Sequence, residues 1–227
     1  MSRFITPMLA IAAHDLSREL RRPVAIGATL LFGCSSLVVL RLALAGGGKP
    51  SSAVLAGALW VVLVFAALVG TSRVFAAERE DGAWDALLLA PADRAAIHLG
   101  KTIAAFVTML VMHGLLTGLY LGLFGAPPWA FAGTGLLLAT IALADAGLAA
   151  VGVLVGALSL RARGRDVLGP ALFLPLSLPL VIAATTASIA AWGGSSDHAG
   201  SVLAFLAAYA ATFLVAGTAA FPELAVE

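Results

Sequence analysis

The sequence predicts an all-helical protein embedded in a lipid bilayer, on three observations. First, 61% of the 227 residues are hydrophobic and only 11% are charged, with a mean hydropathy of +1.05. An average soluble domain is roughly 45–50% apolar and about 25% charged, so 13 basic and 12 acidic residues cannot cover a soluble globule of this size. Second, the apolar residues fall into six runs, each near the roughly 20 residues that span a bilayer. Third, the basic residues alternate between the two sides of those runs. These observations exclude a disordered chain, a soluble enzyme of ordinary surface and a basic nucleic-acid binder. A single transmembrane domain over 1–227 follows, with no linker marking a second module and no visible internal repeat.

Residues 1–22 carry too many charges for a secretory signal. Ile5, Met8, Leu9, Ala12, Leu16 and Leu20 recur at helical spacing, and Arg18, Arg21 and Arg22 gather toward the end. This pattern predicts an amphipathic helix lying in the membrane interface. The six spans are then expected over 24–44, 54–75, 102–124, 129–158, 168–192 and 202–221. Residues 46–52 form a Gly/Ser-rich turn, 76–101 a long charged connector, 125–128 a tight Gly-Ala-Pro-Pro turn, 161–166 a short basic loop and 193–198 a polar one. Counting Lys and Arg near the span ends gives eleven on one side and two, Arg41 and Lys49, on the other. Positively charged flanks stay on the cytoplasmic side, so both termini are expected there.

Few residues carry chemistry. Cys34 is alone in an apolar run, which leaves it without an internal disulfide partner and reads as helix packing. His14, His98, His113 and His198 are scattered, and no spacing argues for a metal site. Gly100-Lys101-Thr102 imitates the end of a phosphate-binding loop, but Ala95 stands where its first glycine belongs and an apolar run follows. No ATP site is expected in this chain. His113 and Asp145 fall inside the third and fourth spans. Ionisable groups at that depth are costly and face the bundle interior or water. Either the two approach each other as part of a substrate path or gate, or Asp145 bonds a neighbouring helix while neutral His113 packs near the interface. Gly118 with Gly122 and Gly152 with Gly156 suit close helix packing or a dimer of the chain, and Pro170, Pro175 and Pro179 are expected to kink the fifth span.

The connector is the informative segment. Glu78, Glu80, Asp81, Asp85 and Asp93 stand among basic residues, and Gly82 permits a break after the second span. Trp84, Leu87 and Leu88 share one helical face, Pro91 ends that turn, and Asp93 is placed to cap the next helix. A short amphipathic helix across the mouth of two spans results, and either a docking surface for another protein or a loop on lipid headgroups fits it. Arg161, Arg163, Arg165 and Asp166 admit the same two readings, a second partner contact or a headgroup anchor.

The connector resembles the cytosolic coupling segment of type-two ABC exporter permeases. The chain more closely resembles the haem exporter protein B (CcmB) family. The resemblance rests on Trp60, Phe65, Arg73, Phe75, Glu78, Arg79, Glu80, Gly82, Leu87, Leu88, Leu89, Pro91, Asp93, Arg94, Ile97, Gly100 and Lys101. Asp15-Leu16 with Glu19-Leu20-Arg21 extend it upstream, and residues 161–168 with Pro170, Pro175 and Pro179 extend it downstream. The chain departs from the family pattern at His113, where an acidic residue is expected.

The resemblance implies a type-two ABC exporter permease fold with six spans and a cytoplasmic coupling helix, in the bacterial inner membrane. It implies a non-catalytic subunit that pairs as a homodimer with a separate ABC ATPase and a haem-handling membrane protein. Docking of the ATPase falls to Glu78, Arg79, Glu80, Asp81, Gly82, Trp84, Leu87, Leu88 and Pro91. ATP belongs to the partner, haem is the implied substrate, no cofactor is resident, and no nucleic acid is involved. His198, in the outer loop, reads as a solvated residue or as a haem ligand. A permease for a drug or lipid-linked polymer and a non-transporting scaffold are the competing readings.

Overall fold

The structure is a computed structural model that describes residues 2–21, 23–46, 48–75, 92–125, 130–159, 165–193 and 198–224. Among them are seven helices and no strand: α1 (Ser2–Leu20), α2 (Pro23–Ala43), α3 (Ser52–Thr71), α4 (Arg94–Phe124), α5 (Ala130–Ser159), α6 (Arg165–Ala191) and α7 (Ala199–Leu224). Six of these, α2 to α7, are long and apolar enough to cross a membrane. They coincide with the six expected runs. Helices are the open-sheet-free solution in lipid, because each satisfies its own backbone. Polar side chains follow the same rule: the hydroxyls of Thr71, Thr102, Thr140 and Ser188 donate to carbonyls four residues earlier.

Local signals set the helix ends. Ser51 caps α3 by accepting from Val54 N–H at 3.3 Å, and Asp93 caps α4 by accepting from Ala95 N–H at 2.9 Å. Gly125 follows α4 at φ +80°, a conformation that side chains with a Cβ rarely adopt. Helix α4 begins at Arg94, directly after the expected cap at Asp93, and so runs two turns ahead of the apolar run expected from residue 102; Arg94, His98 and Lys101 fit against neighbouring elements although they are polar.

Helix α5 is the axis of the bundle and the most buried span, packed against α3, α4, α6 and α7. Small residues admit its neighbours. A Cβ at Gly152 would collide with the Thr71 methyl, one at Gly156 would lie 3.0 Å from the Phe75 ring, and one at Gly147 would collide with Leu180. Close approach of this kind compensates for the missing hydrophobic drive between helices in lipid. By contrast a Cβ at Gly118 or Gly122 would meet nothing within 4 Å among the described residues, so neither glycine admits a neighbour there. The core joins Leu37, Leu59, Trp60, Leu63, Leu116, Tyr120, Leu148, Phe173, Leu180 and Leu206. Trp60 Nε1–H donates to Ser188 Oγ at 2.9 Å, tying α3 to α6, and Tyr120 O–H donates to the Leu55 carbonyl at 2.8 Å.

The outside of the bundle carries Leu31, Phe32, Val39, Val111, Leu115, Leu138, Leu178, Ile182 and Val215, all exposed. So large an apolar surface is an aggregation hazard in water and an ordinary lipid-facing surface in a bilayer. Helix α1 has a different partition from the expected stripe. Ala12 is buried, Met8 and Leu16 are half-buried, and Ile5, Leu9 and Leu20 are exposed. Part of its apolar surface therefore belongs to α4, against which it packs.

Candidate functional site

Two polar clusters stand out against the apolar bundle. One lies within it, between α4 and α5. His113 Nδ1 and Asp145 Oδ1 are 2.5 Å apart, and both side chains are fully buried. Asp145 Oδ2 and the Thr117 hydroxyl, one turn beyond His113, have no hydrogen-bond partner among the described residues. A buried carboxyl with one oxygen unsatisfied is a costly arrangement in apolar surroundings. The sequence placed His113 and Asp145 in adjacent spans, and the structure brings them into contact.

The second cluster lies at the end of the bundle where residues 76–91 connect α3 to α4. Lys101, 1% exposed, places Nζ 3.1 Å from Asp15 Oδ2 of α1 and 3.4 Å from the Val74 carbonyl. Its ammonium sits 5.0 Å from the centroid of the Phe75 ring. Phe75 in turn stacks on Phe221 of α7 at 6.3 Å and borders Gly156 of α5. The first turn of α4 adds Arg94, whose guanidinium donates to the Pro222 carbonyl at 3.0 Å. One turn on, His98 is fully buried, with its ring 5.5 Å from Phe221 and pressed onto Gly217, where a Cβ would lie 2.5 Å from Nε2. Neither ring nitrogen has a partner among the described residues. Gly100 completes the contact with α1: a Cβ there would lie 2.7 Å from the Met8 carbonyl oxygen.

The other expected site residues fare differently. Glu78, Arg79, Glu80, Asp81, Gly82, Trp84, Leu87, Leu88 and Pro91 lie outside the described residues, as do Arg161 and Arg163. Arg165 and Asp166 begin α6, and their side chains lie outside the described ones. His198 is exposed just before α7, where its carbonyl accepts from Ser201 Oγ and Val202 N–H. No group of three or more His, Cys, Asp or Glu able to hold a metal occurs among the described residues.

The pairing of Asp15 with Lys101 was not anticipated. Both residues belong to the pattern that carries the family resemblance, which implies no role for either. The available signal was a lysine at the threshold of an apolar run, together with Asp15 at the point where α1 turns from apolar and small residues to charged ones.

A family model described as CcmB protein matches residues 6–226. The chain belongs to the CcmB family. Similarity to proteins named "Heme exporter protein B" agrees. That of Paracoccus denitrificans is 32% identical over 224 residues, covering 96% of this chain and 99% of the relative. That of Rhodobacter capsulatus is 31% identical over 174 residues, 74% and 77% of the two chains. That of Pseudomonas aeruginosa is 27% identical over 200 residues, 87% of each. Six candidate spans and membership of the CcmB permease family make this a multi-pass membrane protein. Its family match begins within α1 and ends beyond α7, so both polar clusters belong to the matched region.

Proposed function

We propose that this chain is the membrane permease subunit of an ABC exporter that supports haem export or delivery for maturation of c-type cytochromes. The carrying observation is the family match over residues 6–226, supported by relatives named as heme exporters along nearly the whole length. The subunit is non-catalytic. A separate ABC ATPase binds and hydrolyses ATP, a haem-handling membrane protein works beside it, and haem is the cargo class. The excess of Lys and Arg on alternate connectors supports both termini on the cytoplasmic face of the bacterial inner membrane. Helix α1 then lies along that face, with Ile5, Leu9 and Leu20 toward lipid.

In this reading the ATPase docks on residues 76–91 through Glu78, Arg79, Glu80, Asp81, Gly82, Trp84, Leu87, Leu88 and Pro91. Arg161, Arg163, Arg165 and Asp166 offer a second contact. The permease works as a homodimer, each half presenting one docking segment. ATP-driven closure of the partner shifts the spans only insofar as the partner binds the segment differently in its two states. His113 and Asp145 form a polar element at the α4–α5 seam that such a shift would remake.

The test is a mild-detergent pull-down of tagged chain from its native membrane, with mass spectrometry and a haem absorbance scan. Recovery of an ABC ATPase with a haem-handling membrane protein is the expected result. An ATPase without haem proteins would point to another cargo. A folded sample with no ATPase would overturn the permease reading.

A further inference from the structure

Residues 76–91 are joined to the bundle through Val74 and Phe75 on one side and through Ala92 to Arg94 on the other. The Lys101 side chain sits against the first of these roots, two turns along α4 from the second. An ammonium 1% exposed to solvent is tolerable only with close oxygen partners, because desolvation penalises an unpaired charge severely. Its partners come from different elements: Asp15 of α1, the carbonyl of Val74 and the face of Phe75. Parting any of them from Lys101 leaves the charge worse off, so the three are held as one joint. Gly100 draws α1 still closer, since its missing Cβ is the space that the Met8 carbonyl and Ile11 occupy. Among the described elements, helix α1 packs chiefly on α4, with a smaller contact to α2. Its position is therefore set at this joint.

We propose that α1 is a second arm of the coupling device, with Lys101 and Asp15 as positioning residues that make it move together with the roots of residues 76–91. This rests on the reading that an ATPase acts through that segment. A push or pull on the segment reaches Phe75 and α4 first. The part-buried ion pair transmits it to α1 without slack, and α1 carries it along the membrane face. Without the pair, the ATPase still binds, but less of each stroke becomes rearrangement of the spans.

The experiment replaces the chromosomal copy with Lys101→Met, Asp15→Asn or both, in the full chain in its native membrane. Two quantities are read: ATPase recovered per tagged chain, and haem-stained c-type cytochrome per chain. The expected result is a fall in cytochrome of about five-fold in each single variant, a size that single residues in coupling networks reach. The double variant falls no further, because the pair acts as a unit, and the ATPase-to-chain ratio stays at the wild-type value. Unchanged cytochrome, or single effects that multiply in the double variant, would overturn the inference. So would a parallel loss of bound ATPase, which assigns the pair to assembly alone. A wild-type chain that retains no ATPase, or whose deletion spares c-type cytochromes, would overturn the permease reading and the inference with it.

Discussion

Two acid–base pairs, one fully buried and one at the boundary, divide this molecule. His113 and Asp145 join two spans in the bundle, where neither side chain is more than 1% exposed and one carboxyl oxygen has no partner among the described residues. Lys101 and Asp15 join a span to the N-terminal helix, where Asp15 is 19% exposed and the ammonium has a carbonyl and an aromatic ring beside it. The first is under-satisfied in apolar surroundings, and the second is well provided for at a boundary. The difference teaches that polar residues in such a bundle are placed by two separate requirements. One builds a contact whose disruption is costly at a seam between spans. The other fastens an element that lipid alone would leave free to slide.

The largest effect is expected from the inner pair. Asp145→Ala strips His113 of its partner within the bundle, and breaking a buried pair costs about 3 kcal/mol. Unfolding of the purified chain in mixed micelles reads this directly, and a loss near zero would mean that the pair contributes no net stability. Gly100→Ala attacks the outer pair without touching its charges. The added Cβ would meet the Met8 carbonyl oxygen at 2.7 Å, so α1 must lift. Overpacking of this kind costs about 2 kcal/mol. Protease cleavage within α1 should rise while the rest of the bundle stays resistant, and equal resistance throughout would break the comparison. Trp60→Phe is the uncharged control. It removes the hydrogen bond to Ser188, 2.9 Å long, at a cost of about 1 kcal/mol in the same unfolding assay. A cost as large as that of Asp145→Ala would show that charge is not what sets the inner pair apart.

How much of this was legible follows from the physics of each feature. The spans were plain, because about 20 apolar residues in a row have few other uses. The cap at Asp93 was legible too, since an acid between Ala92 and a helical run serves few other roles. The cap gave the helix start at Arg94, but hydropathy began the apolar run only near residue 102, and nothing in the sequence said what the two turns between them pack against. Arg94, His98 and Lys101 count as polar in any window, while their partners, Pro222, Phe221 and Asp15, are far away in sequence. Contacts across 86 residues have no periodicity to betray them. His113 and Asp145 could be suspected of meeting because two ionisable groups in neighbouring spans have few alternatives. The stripe on α1 was visible, but not that α4 would take half of it.

The central claim is that an ATPase drives this chain through residues 76–91. The most direct measurement compares ATP hydrolysis by the complex purified with the wild-type chain and with Glu78→Lys, both reconstituted in lipid at equal chain content. The account predicts that the wild-type chain stimulates hydrolysis and that Glu78→Lys loses the stimulation while inserting normally. Equal stimulation by the two chains would contradict it.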